Sequence, residues 1–164
     1  MNEQAISQCA IFAELSTDEM GIVVEGGRQY PVPENHIFFE MGDSNESLFV
    51  VISGSVCIER PGTETDVVLA TLESGAIFGE MSFMDSSKTT AQVTAVEPTA
   101  VLELNSTDFH RVLADRPALA AKLWRNLASE FRHRLAHTNE LVDYYADLSQ
   151  VLRDNPRAGS LLGT

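Results

Sequence analysis

Positive charge is scarce in this chain. Lys and Arg together number 11 against 24 Asp and Glu, a formal net charge of −13. The scarcity is local. Residues 1–115 hold only Arg28, Arg60, Lys88 and Arg111 against 19 acidic residues, a net of −15, whereas residues 116–164 carry 7 basic and 5 acidic residues, a net of +2. An acidic body repels nucleic acid and anionic lipid. No basic stripe marks a DNA-reading helix. The expectation is therefore no direct nucleic-acid partner and no membrane. Cysteine is equally thin: Cys9 and Cys57 lack metal-ligand spacing and are too few for a disulfide framework. A reducing cytoplasm is the compartment that fits. No segment approaches the roughly 20 apolar residues of a membrane span. The stretch 1–10 lacks the cationic start and long apolar run of a signal peptide.

Catalytic and metal signatures are also missing. There is no Gly-x-Ser-x-Gly for a serine nucleophile. His133 and His137 stand four apart, but no third ligand with fitting spacing accompanies them, so a solvated helix face is the expected reading. His36 is the only histidine in the strand-rich region, which argues against a metal-dependent β-roll enzyme. No enzyme activity, cofactor or metal is expected. Cys57 reads as a small core residue, and Tyr144 as helix surface.

What is present is one domain's worth of core: 164 residues, 44% hydrophobic. Residues 4–24 show helical spacing, with Ser16 or Thr17 as a cap and acids in the first turn. Short strand-like runs follow at 28–32, 36–40, 47–52, 55–60, 66–72, 92–95 and 100–104, divided by Pro, Gly, Asn, Asp and Ser. Strands at this pace without long intervening helices predict a mainly β fold with added α: an antiparallel β-roll, jelly-roll-like, with N-terminal helices. A short helix is expected near 106–114, capped by Ser106-Thr107-Asp108. Asp115 and Pro117 then open a long C-terminal helix, which ends before Asn155-Pro156. Over 117–153 it would span roughly 55 Å at about 1.5 Å per residue. The expected division is 1–115 for the N-terminal helices and roll, 116–154 for the long helix, and 155–164 for a flexible tail.

The long helix carries a 4-3 apolar repeat through Trp124, Leu127, Phe131, Leu141, Tyr145, Leu148 and Leu152, interrupted by Arg134 and Thr138. Such alternation predicts a parallel coiled-coil homodimer, and packing on the chain's own roll is the alternative. An arginine within that seam needs an anionic partner or water.

The stretch 72–95, LESGAIFGEMSFMDSSKTTAQVTA, carries the chemistry. Gly79 directly before a helical turn exposes backbone N–H groups that can cradle an anion without a cationic side chain. Glu80 beside it can accept hydrogen bonds from hydroxyls. An anion cradle next to such a carboxylate suits a sugar phosphate; a tight turn capped by Glu80 is the plain structural alternative.

The stretches MGDSNESLFVVISGSVCI (41–58) and LESGAIFGEMSFMD (72–85) resemble the cyclic nucleotide-binding domain family, which includes the catabolite activator proteins and the regulatory subunits of cyclic-nucleotide-dependent kinases. The resemblance implies that Gly79, Glu80, Met81 and Ser82 form a phosphate-binding cassette, with Glu80 on the ribose 2′-hydroxyl and Thr90-Ala91 closing on the phosphate. It implies that the long helix caps the base, with Arg134 and the neighbouring Thr138 as candidate base contacts, and forms the dimer. The family's phosphate-pairing arginine should stand nine residues after Glu80, where this chain has Thr89. Loss of a charge-assisted bond removes about 1.5–3 kcal/mol. Lys88 and Arg134 are the candidate compensating cations. The expected function is a non-catalytic sensor that binds a cyclic nucleotide or a related small anion and signals through its helix to a protein effector. The alternative is a ligand-independent dimerisation or docking module with a degenerate pocket.

Overall fold

The computed structural model describes residues 6–62 and 66–154; side chains at 141, 145, 148, 149 and 151–154 lie outside the description. A 3-10 turn at Ala10–Phe12 precedes α1, Thr17–Glu25. Ser16 caps α1: its hydroxyl accepts from the Glu19 amide, and the Glu19 carboxylate accepts from the Ser16 amide. The strands are β1 Arg28–Val32, β2 Ile37–Phe39, β3 Ser47–Ser53, β4 Ser55–Arg60, β5 Val67–Glu73, β6 Ile77–Phe78, β7 Gln92–Ala95 and β8 Thr99–Asn105. Helix α2, Glu80–Asp85, lies between β6 and β7; α3, Ser106–Leu113, follows β8; α4 runs from Pro117 to Asp154.

The strands form two antiparallel four-stranded sheets, in the orders β1-β8-β3-β6 and β2-β7-β4-β5. This is the β-roll that the strand spacing predicts. Their facing sides supply one cluster: Phe39, Phe49, Val51, Val56, Phe78, Val93 and Val101. Phe49 and Phe78 stack with ring centroids 4.8 Å apart and planes 8° from parallel. Strand β3 is buried from Ser47 through Ile52 with no polar-out alternation, because both of its faces are covered. Helix α2 packs against β3 and α3 against β8. Phe109 of α3 links Phe83 of α2, 5.3 Å away, to Trp124 of α4, 5.7 Å away.

Two details differ from the sequence-based expectation. Strand β6 is only two residues long, too short for a periodicity signal. The cap of α3 is Asn105, whose side chain accepts from the Thr107 amide, rather than Ser106-Thr107-Asp108. Pro117 does begin α4, where its missing N–H costs nothing.

Residues Met1–Asn126 form one compact unit and Leu127–Thr164 another. Within the first, the start of α4 is tied to the N-terminal segment. The Asn126 amide donates to the carbonyls of Ile11 (2.9 Å) and Ala13 (2.8 Å). The Lys122 ammonium reaches both Glu19 oxygens, at 2.8 and 2.7 Å. That bond, with the Ser16 amide, holds the Glu19 carboxyl below its ordinary range.

Candidate functional site

The site is built where β6 turns into α2. Phe78 is paired with Phe49 across β3 and fixes the chain just before Gly79. Gly79 caps α2 with φ 78°, a left-handed conformation. A Cβ there would lie 2.7 Å from the Ser47 carbonyl oxygen, 3.0 Å from Asn45 Nδ2 and 3.2 Å from Phe49 Cδ2. Glycine is therefore required twice, by dihedral and by space. The turn leaves Glu80 at 6% and Ser82 at 3% exposure, whereas Met81 and Met84 project to solvent. The α2 start is thus a buried carboxylate and a buried hydroxyl on a tightly held turn.

The far end of the cassette is held by a different segment. Thr89 is buried at 7% exposure. Its hydroxyl donates to the Glu40 carbonyl at 2.5 Å, its amide donates to the Asp43 carbonyl at 3.0 Å, and its carbonyl accepts from the Gly42 amide at 2.8 Å. Its one hydroxyl proton is therefore committed to the loop between β2 and β3. Lys88 is exposed, and its Nζ donates to Ser44 Oγ at 2.7 Å. Ser86, in the left-handed region at φ 56°, ends α2. Hydrogen bonds from the Ser87 side chain and amide hold the Asp85 carboxyl low. Thr90 is exposed and Ala91 buried.

A chain in which β6, a left-handed glycine, a buried glutamate and one helical turn follow each other inside an eight-stranded roll has a defined set of relatives. The family model for the cyclic nucleotide-binding domain matches residues 30–116. The chain belongs to the cyclic nucleotide-binding domain family. It is 31% identical over 125 residues to the cyclic AMP receptor protein of Thermus thermophilus, covering 74% of this chain and 57% of that protein. It is 33% identical over 138 residues to glutaminase 2 of Bradyrhizobium diazoefficiens, covering 84% of this chain and 22% of that protein. The crystal structure of the Thermus thermophilus catabolite activator protein superposes with TM-score 0.73 at 28% identity, covering 84% of this chain and 63% of that one. The chain therefore spans about a fifth to three-fifths of the length of these curated relatives.

In this cyclic nucleotide-binding domain the expected cassette residues Gly79, Glu80, Ser82, Thr89 and Ala91 are drawn into the fold, while Met81, Lys88 and Thr90 stand at its surface. Arg134 and Thr138 belong to the second unit, where the Thr138 hydroxyl donates to the Arg134 carbonyl at 2.9 Å. Of the expected helix seam, Trp124 lies edge-on to Phe109, Leu127 is fully buried within one chain and Phe131 is half-buried. Leu141, Tyr145 and Leu148 fall outside the described side chains. The seam as read from sequence omitted Leu135 and Val142, which stand 63% and 61% exposed. It also gave no hint of Asn45, whose amide touches Ser47, Gly79 and Ser82. Asn45 lies in a polar interstrand stretch, and polarity alone reads as loop. Among the described residues no group of three or more metal-ligating side chains occurs, and no helix is long and apolar enough to cross a membrane.

An open cavity of about 230 Å³ lies apart from the cassette, lined by Gly26, Gly27, Arg28, Glu103, Asn105 and Asp108. Its polar groups serve the roll. Arg28 sits 4.5 Å over the Tyr30 ring, and Glu103 accepts from Ser47 Oγ at 2.8 Å. Burial, reinforced by the Glu103 carboxylate, pushes the Tyr30 phenol up to about 12.

Proposed function

We propose that this chain is a regulatory sensor module that takes a cyclic nucleotide, cyclic AMP or cyclic GMP, or a related small anion against Gly79–Ser82. One observation carries the reading. The left-handed turn at Gly79 leaves no room for a side chain beside the Ser47 carbonyl, and it presents buried Glu80 and Ser82 together. Backbone N–H groups at that turn suit a phosphate, and a carboxylate suits a ribose hydroxyl. The cyclic AMP receptor protein among its relatives supports a nucleotide of this class. The position nine residues after Glu80 brings no charge, and its hydroxyl is committed to Glu40, so the affinity is expected to be low.

Isothermal titration with cyclic AMP and cyclic GMP tests the reading. Weak but saturable heat is the expected result. Glu80→Ala should abolish it, and Thr89→Arg should tighten binding by roughly 10- to 100-fold. No heat with either nucleotide up to millimolar concentration would refute the nucleotide reading and leave the docking module as the remaining function.

The module is further proposed to act as a homodimer through α4, passing occupancy of the cassette to a protein effector. Leu135 and Val142, seven residues apart and exposed, support a seam between copies. If Phe131→Asp and Leu135→Asp both leave the sedimentation coefficient unchanged, the seam is wrong. A reducing compartment, the cytoplasm, suits a chain whose two cysteines, Cys9 and Cys57, are too few for a disulfide framework.

A further inference from the structure

The loop between β2 and β3 touches both ends of the cassette. At the far end it receives Thr89 on Glu40 and Asp43, gives the Gly42 amide to Thr89, and meets Lys88 at Ser44. At the near end it places Asn45. Asn45 Nδ2 lies 2.7 Å from the Ser47 carbonyl oxygen, 3.1 Å from Ser82 Oγ and 3.3 Å from the Gly79 carbonyl oxygen. Its Oδ1 accepts from the Ser47 amide at 3.2 Å. The orientation of the side chain is therefore set by its surroundings. Turned over, Oδ1 would face two carbonyl oxygens, and Nδ2 would face an N–H. The loop also braces itself, with the Glu40 amide donating to Asp43 Oδ2 at 2.9 Å.

We infer that Asn45 is a positioning residue: it fixes the left-handed turn at Gly79 and the first turn of α2, so that the 40–45 loop sets the cassette's shape before any ligand arrives. Its importance for binding rests on the reading of the cassette as a ligand site. A cassette already ordered costs less to organise around a ligand, and that saving appears as affinity. This matters most where the usual charged link between ligand and cassette is replaced by Thr89. The requirement is for a donor and not merely for a polar group. Asp has the same shape, but its carboxylate would face the carbonyl oxygens of Ser47 and Gly79 without a proton to share, and only the Ser82 hydroxyl could turn to donate to it.

Amide hydrogen exchange on the full chain, without ligand, tests this directly. The reporters are the Phe83 amide, bonded to the Gly79 carbonyl at 3.1 Å, and the Ser86 amide, bonded to the Ser82 carbonyl at 2.9 Å. Asn45→Asp should lower their protection by about tenfold at neutral pH while leaving the amides of the β4–β7 pair unchanged. The deficit should shrink as pH falls below about 4, where the introduced carboxyl gains a proton and one donor returns. Asn45→Ala should show the same loss without that recovery. Ser82→Ala, which removes a single partner, should give a smaller loss at the same two amides and serves if the Asn45 variants fold poorly. Unchanged protection, loss spread evenly over the roll, or a deficit indifferent to pH in Asn45→Asp would overturn the inference. Titration with cyclic AMP is read separately. If the unmutated chain binds, Asn45→Asp should weaken binding by about the same factor. If the unmutated chain does not bind, the nucleotide reading fails, while the exchange result still decides the role of Asn45.

Discussion

Replacing Gly79 by alanine probes the candidate site with a single methyl group. Two costs add. A non-glycine residue held at φ 78° costs about 1–2 kcal/mol. The methyl would also sit 2.7 Å from the Ser47 carbonyl oxygen, a backbone atom of a strand paired on both sides, which cannot move away cheaply. Overpacking of that kind costs typically about 1–3 kcal/mol, giving about 2–5 kcal/mol in total. Gly42→Ala supplies the control. Its φ is 92°, but nothing lies within 4 Å of the added methyl, so only the dihedral cost applies, about 1–2 kcal/mol. Urea unfolding followed by circular dichroism, at one fixed protein concentration so that self-association does not enter, measures both. With a slope of about 2 kcal/mol per molar urea, Gly79→Ala should lower the midpoint by about 1–2.5 M. The difference between the two variants isolates the close approach of Ser47. If Gly79→Ala is no more destabilising than Gly42→Ala, the packing argument for the cassette turn is wrong.

Thr89→Val keeps the shape but leaves the Glu40 carbonyl without its donor, and should cost about 1 kcal/mol in the same urea assay. The raised phenol of Tyr30 makes an alkaline prediction. Because its folded-state value of about 12 lies above the ordinary value near 10, its contribution to stability is complete below about pH 10 and is lost as pH rises through 12. Phenolate absorbance should show a late step near pH 12 that disappears in Tyr30→Phe, and its persistence would remove that assignment. Glu19 makes the acid prediction. Its lowered carboxyl contributes stability above the unfolded-state value, and that contribution is lost as pH falls through the folded-state value. Glu19→Gln should therefore flatten the acid limb of the melting curve, and added salt should blunt the difference, since Glu19 and Lys122 are both partly exposed to solvent.

Much of this protein is written locally. The runs of β-formers between turn residues give seven of the eight strands, and Ser16 followed by Glu19 states where α1 begins. Gly79-Glu80 states a tight turn before a helix locally, and the resemblance of the surrounding stretch is what reads that turn as a candidate cassette. Strand β6 escapes because two residues carry no period. Leu135 and Val142 escape because a helix offers two apolar stripes that share positions, and spacing alone does not choose between them.

What tertiary structure alone decides is the role of each residue in the site. Gly79 is required because Ser47, distant in sequence, arrives beside it. Asn45 acts on Gly79 and Ser82 across 34 and 37 residues of sequence, and Thr89 gives its proton to Glu40 across 49. Such hydrogen bonds exist only after two sheets have closed and brought the loop over the cassette, so no spacing within the chain records them. From sequence, Thr89 reads as the place where a charge is missing. In the folded chain it is also a tie, because the hydroxyl that might have met a ligand already has a partner. Sequence by itself determined the roll, which follows from local periodicity and turn chemistry, and the family, which the stretches 41–58 and 72–85 resemble. The fold decided what holds the cassette, since that depends on which oxygens and amides meet when the chain is closed.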